Sequence, residues 1–172
     1  TDNLPGMTGF DYGKFFAENY GLNVTVLNDA HAALLAEVGT GRVVYEYNSE
    51  EKLPAAGLTR LAALVSVCKG FDEGRLKPGD AVSVSEKAAG IGGTTAFLKA
   101  GEQMDAETML LAAVMINAGD ATHSLALAAA GSESAAVQEI NACMAGIGVE
   151  TNFSEICGAG EKLSASELAK IG

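Results

Sequence analysis

Few residues in this chain could carry chemistry. Gly57-Leu58-Thr59-Arg60 opens a helical stretch, and Asn117-Ala118-Gly119-Asp120 precedes another. Gly57 offers no nucleophile. The Arg60 guanidinium keeps its proton at neutral pH, so it brings a positive charge but no general base. The nearest hydroxyls, Thr59 and Ser124, lie in helical segments where a hydroxyl is expected to bond its own backbone. His31 and His123 are the only histidines. Neither is spaced from a Cys, His or carboxylate set as a metal site requires, so each is expected as a satisfied or surface histidine. Gly90-Ile91-Gly92-Gly93-Thr94-Thr95 is rich in glycine but lacks the Gly-Lys-Ser/Thr ending of a phosphate loop, and it reads as a flexible loop. The residues imply no metal and no cofactor.

These positions need elements to hold them. The spacing predicts a helix near Phe10 to Tyr20 stopped by Gly21, and a strand over 23–28. Ala30 to Val38 and Arg42 to Tyr47 flank Gly39-Thr40-Gly41, which reads as a β-hairpin, although Ala32 to Glu37 taken alone fits a helix equally well. From Gly57 the pattern turns helical, with Leu58, Leu61, Leu64, Val65 and Cys68 on one face. Lys77-Pro78-Gly79-Asp80 is a turn, and Ala81 to Val84 is extended. Asp105 is placed to cap a helix running to about Ala118. Another helix follows over 121–130 and ends at Gly131. Val137, Ile140, Met144 and Ile147 stripe a third. Ser164 and Glu167 form a capping-box pattern for a last helix. The expected fold class is α+β, a helix-rich domain packed on a small antiparallel sheet made of the strands near 23–28, 33–38 and 42–47. An incomplete sheet has an open edge that a second copy of the chain can pair with, so a homo-oligomer is an expectation.

Composition narrows the partners. Among 172 residues, 11 Lys and Arg stand against 22 Asp and Glu, for a net charge of −11. Such a surface repels phosphate backbones and anionic lipid, which disfavours nucleic acid. The acidity reads first as solubility, and otherwise as an acidic decoy that inhibits a basic partner protein. The most apolar stretch, Met109 to Ile116, is far shorter than the roughly 20 residues a membrane helix needs. No secretory leader is legible at Thr1, and the chain does not open on Met. Cys68, Cys143 and Cys157 form no Cys-x-x-Cys pair and are expected as buried free thiols, which mildly favours the cytoplasm.

From about His31 to Gly172, the order of landmarks resembles the D-alanyl-D-alanine carboxypeptidases, the low-molecular-weight penicillin-binding proteins. The hairpin around Gly39-Thr40-Gly41 and the run Glu51-Lys52-Leu53-Pro54-Ala55-Ala56 resemble that family's approach to its nucleophile helix. Gly93 to Glu102, Asn117 to Ala126, Gly148 to Phe153 and Ser164 to Ile171 resemble its later landmarks. The resemblance implies an incomplete transpeptidase-like fold and a cell-envelope setting. It also implies a Ser at position 57, a Lys at 60, a Ser-x-Asn motif at 117 to 119 and a Lys-Thr-Gly strand. Gly57, Arg60, Asn117 and Gly119 depart from this pattern, Asp120-Ala121 keep it, and Lys-Thr-Gly is not present. The expectation is a non-catalytic pseudoenzyme. Its degenerate cleft at Gly57, Arg60, Asn117, Gly119 and Asp120 would bind an acidic or peptide ligand through Arg60, or a protein partner.

Residues 2–41 resemble a fragment of a different family, the ROK sugar kinases, on Asn3-Leu4-Pro5-Gly6, the helix near Phe10 to Tyr20, and Gly21 to Ala33. That resemblance implies a sugar site at Asn28 and a general base at Asp29. Without a phosphate cradle, Asp29 reads instead as a turn or cap residue. The expected division is a kinase-like segment over 1–30 and a carboxypeptidase-like domain over 31–172, as in a chimera. A residual serine carboxypeptidase or a sugar kinase using Asp29 is the enzymatic alternative.

Overall fold

The computed structural model describes residues 32–158 and 160–172. The helix expected near 10–20, the strand over 23–28, His31, and the Asn28-Asp29 pair lie outside the described residues.

The hairpin forms. Strand β1 (Ala33–Ala36) pairs antiparallel with β2 (Val43–Tyr47), Ala33 opposite Tyr47 and Leu35 opposite Tyr45. This settles Ala32 to Glu37 as extended rather than helical. Gly41 stands at φ +69°, a backbone state that costs glycine little, and the Glu37 N–H reaches the Arg42 carbonyl to close the turn.

The expected single sheet is corrected. The described strands form three separate two-stranded sheets. The second joins β3 (Leu53–Pro54) to β6 (Lys162–Leu163), and the third joins β4 (Ala81–Ser83) to β5 (Gln103–Asp105). Pairs of two or three residues are too short to show alternation in sequence, so only the extended run from Ala81 was legible.

Helices carry the core. A 3₁₀ turn (Ala56–Thr59) runs directly into α1 (Arg60–Asp72). Helix α2 (Glu86–Ala89) is a single turn capped by the Ser85 side chain. Helix α3 (Ala106–Met115) begins where the Asp105 carboxylate accepts the Thr108 N–H, as its sequence predicts. It stops three residues earlier than expected, because Asn117 turns to φ +53° and leaves the helical region. Helix α4 (Gly119–Ala130) starts earlier than expected and ends at Gly131, at φ +80°. Helix α5 (Glu133–Gly146) buries Ile140 and Met144, while Ile147, expected on the same stripe, lies beyond its end and is exposed. Helix α6 (Ala165–Ile171) carries the full capping box between Ser164 and Glu167. Phe153, Met109, Leu125, Ile140, Met144 and Ile156 are the largest fully buried side chains.

Helix α1 corrects the sequence reading. The expected face is the inner one only in part: Leu64 is buried and Val65 packs against the core, but Leu58 is 47% and Leu61 38% exposed, and Cys68 faces solvent. Its buried face is small, built from Ala62, Ala63, Ser66, Val67 and Gly70, together with Leu64. Helix α4 packs on that face, so close that a Cβ on Gly70 would stand 3.0 Å from the Ala129 Cβ. Small residues let two helix backbones approach, and the larger ones are then left outside.

Candidate functional site

The N-terminal end of α1, the α3–α4 turn and the loop over 90–98 meet at one place. Arg60 is the hub. It is only 7% exposed. Its Nη1 donates to the carbonyl of Thr94 at 2.9 Å and to that of Asn117, and its Nη2 donates to that of Gly92 at 3.2 Å. A guanidinium presents a planar fork of donors, so it can hold several carbonyls from separate loops at once. The expected use of Arg60 for an acidic ligand therefore meets a group whose terminal nitrogens are already engaged.

Asn117 turns its side chain the other way. Its Nδ2 donates to the Gly57 carbonyl at 3.1 Å. Both glycines of the site are tightly surrounded. A Cβ on Gly57 would lie 2.8 Å from Asn117 Nδ2. A Cβ on Gly119 would lie 2.7 Å from Arg60 Nη2, 2.8 Å from its Cζ and 2.8 Å from Ile91 Cγ2. The Gly119 N–H also donates to Thr94 O at 2.9 Å. The structure thus brings Gly57, Arg60, Asn117 and Gly119 together.

Asp120 belongs to the same cluster with a different role. It is buried, and its two oxygens accept the N–H groups of Ala96 (2.9 Å) and Leu98 (3.0 Å). Between those clamped amides Phe97 is pushed to φ +59° and stands 87% exposed. The carboxylate shapes the loop that offers Thr94 O to Arg60. The loop over 90–94, expected to be flexible, is tied down through Gly92 and Thr94.

The hydroxyls do not replace a nucleophile. Thr59 donates to Ala56 O at 2.8 Å and Cys157 O at 2.7 Å, and Ser124 donates to Asp120 O at 2.8 Å. Back-bonding was expected of both; the second bond of Thr59, to the 150s loop, was not.

A cavity of about 420 Å³ opens beside this cluster, lined among others by Gly57, Arg60, Lys87, His123, Glu133 and Cys157. His123 is corrected from a satisfied or surface histidine. It is 3% exposed, with Nε2 3.2 Å from Glu133 Oε1 and Nδ1 buried without a partner. Glu133 also pairs with Lys87, and this hydrogen bond leads the influences that hold its pKa below the usual carboxylate value. Sequence reading missed this chain of three. The available signal was the short turn at Gly131, which folds α5 back on α4 and brings positions ten apart together.

The thiols are corrected in part. All three cysteines are free, Cys143 and Cys157 are half-buried, and Cys68 is exposed. Burial pushes the Cys157 thiol up to about 11, opposed by the nearby Arg60 charge. That keeps it protonated and poorly nucleophilic at neutral pH. Among the described residues no group of three or more His, Cys, Asp or Glu is arranged to hold a metal ion. Among them, too, no helix is long and apolar enough to cross a membrane.

Comparison with known proteins follows the same lines. A family model described as D-alanyl-D-alanine carboxypeptidase matches residues 23–172. D-alanyl-D-alanine carboxypeptidase DacF of Bacillus subtilis (strain 168) is 33% identical over 149 residues, covering 86% of this chain and 38% of that protein. DacA of Escherichia coli (strain K12) is 27% identical over 154 residues, covering 84% and 38%. This chain therefore spans well under half the length of the curated relatives it matches. Among solved structures, the D-alanyl-D-alanine carboxypeptidase DacD from Francisella tularensis superposes with a TM-score of 0.74 at 25% identity, covering 86% of this chain and 37% of that one. Penicillin binding protein 5 from Haemophilus influenzae gives a TM-score of 0.77 at 23% identity, covering 87% and 46%, and attests the fold. The helix-rich architecture, the hairpin and the family model agree, and the chain belongs to the D-alanyl-D-alanine carboxypeptidase family.

Proposed function

We propose that this chain is a non-catalytic, penicillin-binding-protein-like member of its family, acting as a binding or interaction module. The observation that carries the reading is Arg60. Where the family resemblance expects a lysine one turn after a serine, a buried guanidinium is shared among the carbonyls of Gly92, Thr94 and Asn117. An arginine guanidinium is no general base, and at Gly57 there is no hydroxyl to activate. Thr59 and Ser124 spend their hydroxyls on carbonyls. In a serine hydrolase, loss of the nucleophile alone removes about 10⁶ in kcat.

The relatives are named for D-alanyl-D-alanine carboxypeptidase activity. A peptide ending in D-alanyl-D-alanine, held without cleavage, is the ligand this reading favours, and the cell envelope is the compartment. The net charge of −11 argues against nucleic acid as the partner.

The test incubates the chain with fluorescent penicillin and, separately, with a D-alanyl-D-alanine peptide, following covalent label, released D-alanine and equilibrium binding. Saturable peptide binding with no label and no D-alanine is expected. Covalent labelling or turnover would overturn the reading in favour of a residual carboxypeptidase, the alternative that family membership itself supports.

A further inference from the structure

Two glycines at the site face two large polar side chains. Gly119 has no Cβ where the Arg60 guanidinium and Ile91 lie, and Gly57 has none where the Asn117 amide lies. The large partners are not loosely placed. Arg60 bridges the carbonyls of Gly92, Thr94 and Asn117, and Asn117 bonds the Gly57 carbonyl. Each large side chain therefore fills the space that a side chain on its glycine would need, and each is held there by hydrogen bonds to backbone.

We infer that the site is a refilled joint made of two interlocked pairs, Arg60 with Gly119 and Asn117 with Gly57. A side chain added at either glycine is tolerated better when its large partner is shortened, and the joint fastens the start of α1 to the α3–α4 turn and the 90–94 loop. The inference rests on the non-catalytic reading for its meaning, but its physical content is steric coupling, and that is measured separately. A Cβ 2.7 to 2.8 Å from two guanidinium atoms and a methyl cannot be accommodated unless something shifts. The guanidinium cannot shift without giving up its carbonyls. At Gly57 the obstruction is the end of one side chain, so relief should be nearly complete when that side chain is removed. The two pairs are joined in turn, because Arg60 holds the carbonyl of the same Asn117 whose amide holds Gly57.

Two thermal-unfolding cycles test this. Gly119→Ala is compared in the wild-type background and in Arg60→Met, which keeps an apolar stem and drops the guanidinium. Gly57→Ala is compared in the wild-type background and in Asn117→Gly, which suits the left-handed backbone at 117. Gly119→Ala is expected to lower Tm by about 6 °C in the wild type and by about 2 °C beside Arg60→Met, the remainder owed to Ile91. Gly57→Ala is expected to lower it by about 4 °C in the wild type and by about 1 °C beside Asn117→Gly. Equal drops in both backgrounds at either pair would overturn the inference. The cycles read stability alone, so penicillin labelling of the wild-type chain would overturn the functional reading without touching them.

Discussion

Arg60 donates through Nη1 to the carbonyl oxygen of Asn117, a residue held at φ +53°. The left-handed turn ends α3 and aims that carbonyl back at the first residue of α1. Lysine has one ammonium on a flexible stem and cannot span the same three acceptors. Arg60→Lys is expected to destabilise the fold by about 2 kcal/mol, because at least one of the carbonyls that the guanidinium holds loses its charged donor. Urea unfolding at neutral pH measures it, and a change within about 0.5 kcal/mol would show that the carbonyls find other donors.

Phe97 gives the opposite expectation. Its side chain is solvent-exposed and its backbone sits in the left-handed region, which glycine adopts at less cost than phenylalanine. Phe97→Gly should leave stability unchanged or raise it by up to about 1 kcal/mol, whereas glycine in a helix interior costs about that much. Denaturant midpoints decide it, and a clear loss would mean that the ring makes a stabilising contact.

Helix α1 offers a contrast between neighbours. Leu61 is partly exposed and Ala62 fully buried. Leu61→Ala is expected to cost under about 1 kcal/mol, while Ala62→Leu should cost about 3 kcal/mol by overpacking the core around a fully buried position. Parallel unfolding curves for the two variants rank them, and the reverse order would restore the face that hydrophobic spacing suggested.

Glu167 ties stability to pH. Burial works to raise its pKa, but the Lys52 ammonium, the Ser164 N–H and the Thr151 hydroxyl outweigh that and hold it below the usual glutamate value. A depressed carboxylate contributes stability that is present above its unfolded pKa and is lost as pH falls through the folded one. Glu167→Gln should therefore cost stability at pH 7 and progressively less below about pH 4.5. Tm measured from pH 7 down to pH 3 for both proteins checks this, and parallel curves would remove the linkage.

Much of the frame was legible where local chemistry decides. Asp105, Gly131 and the Ser164–Glu167 box marked helix ends because caps act within one turn. The hairpin was legible because two extended runs flank Gly39-Thr40-Gly41. The inner face of α1 was legible only in part: Leu64 is buried as spacing suggests, but the helix also buries Ala62, Ala63 and Gly70 and leaves Leu58 and Leu61 outside, because a close crossing at Gly70 favours small residues. Spacing and family likeness located Gly57, Arg60, Asn117 and Gly119. The steric dependence of Gly119 on Arg60 was hidden, because it joins residues from different elements. Asp120 was retained in the motif, yet its grip on Ala96 and Leu98 needed the fold to be seen.

The clamp by Asp120 also bears on how a protease meets this chain. The peptide bond after Phe97 follows an exposed aromatic side chain, the kind of residue a chymotrypsin-like enzyme selects. Its amide, however, is the Leu98 N–H bound to Asp120 Oδ2 at 3.0 Å. A protease must draw the segment into extended form, which requires that bond to break first. Cleavage at this one bond therefore times the local opening of the 96–98 loop, while the helical core stays closed.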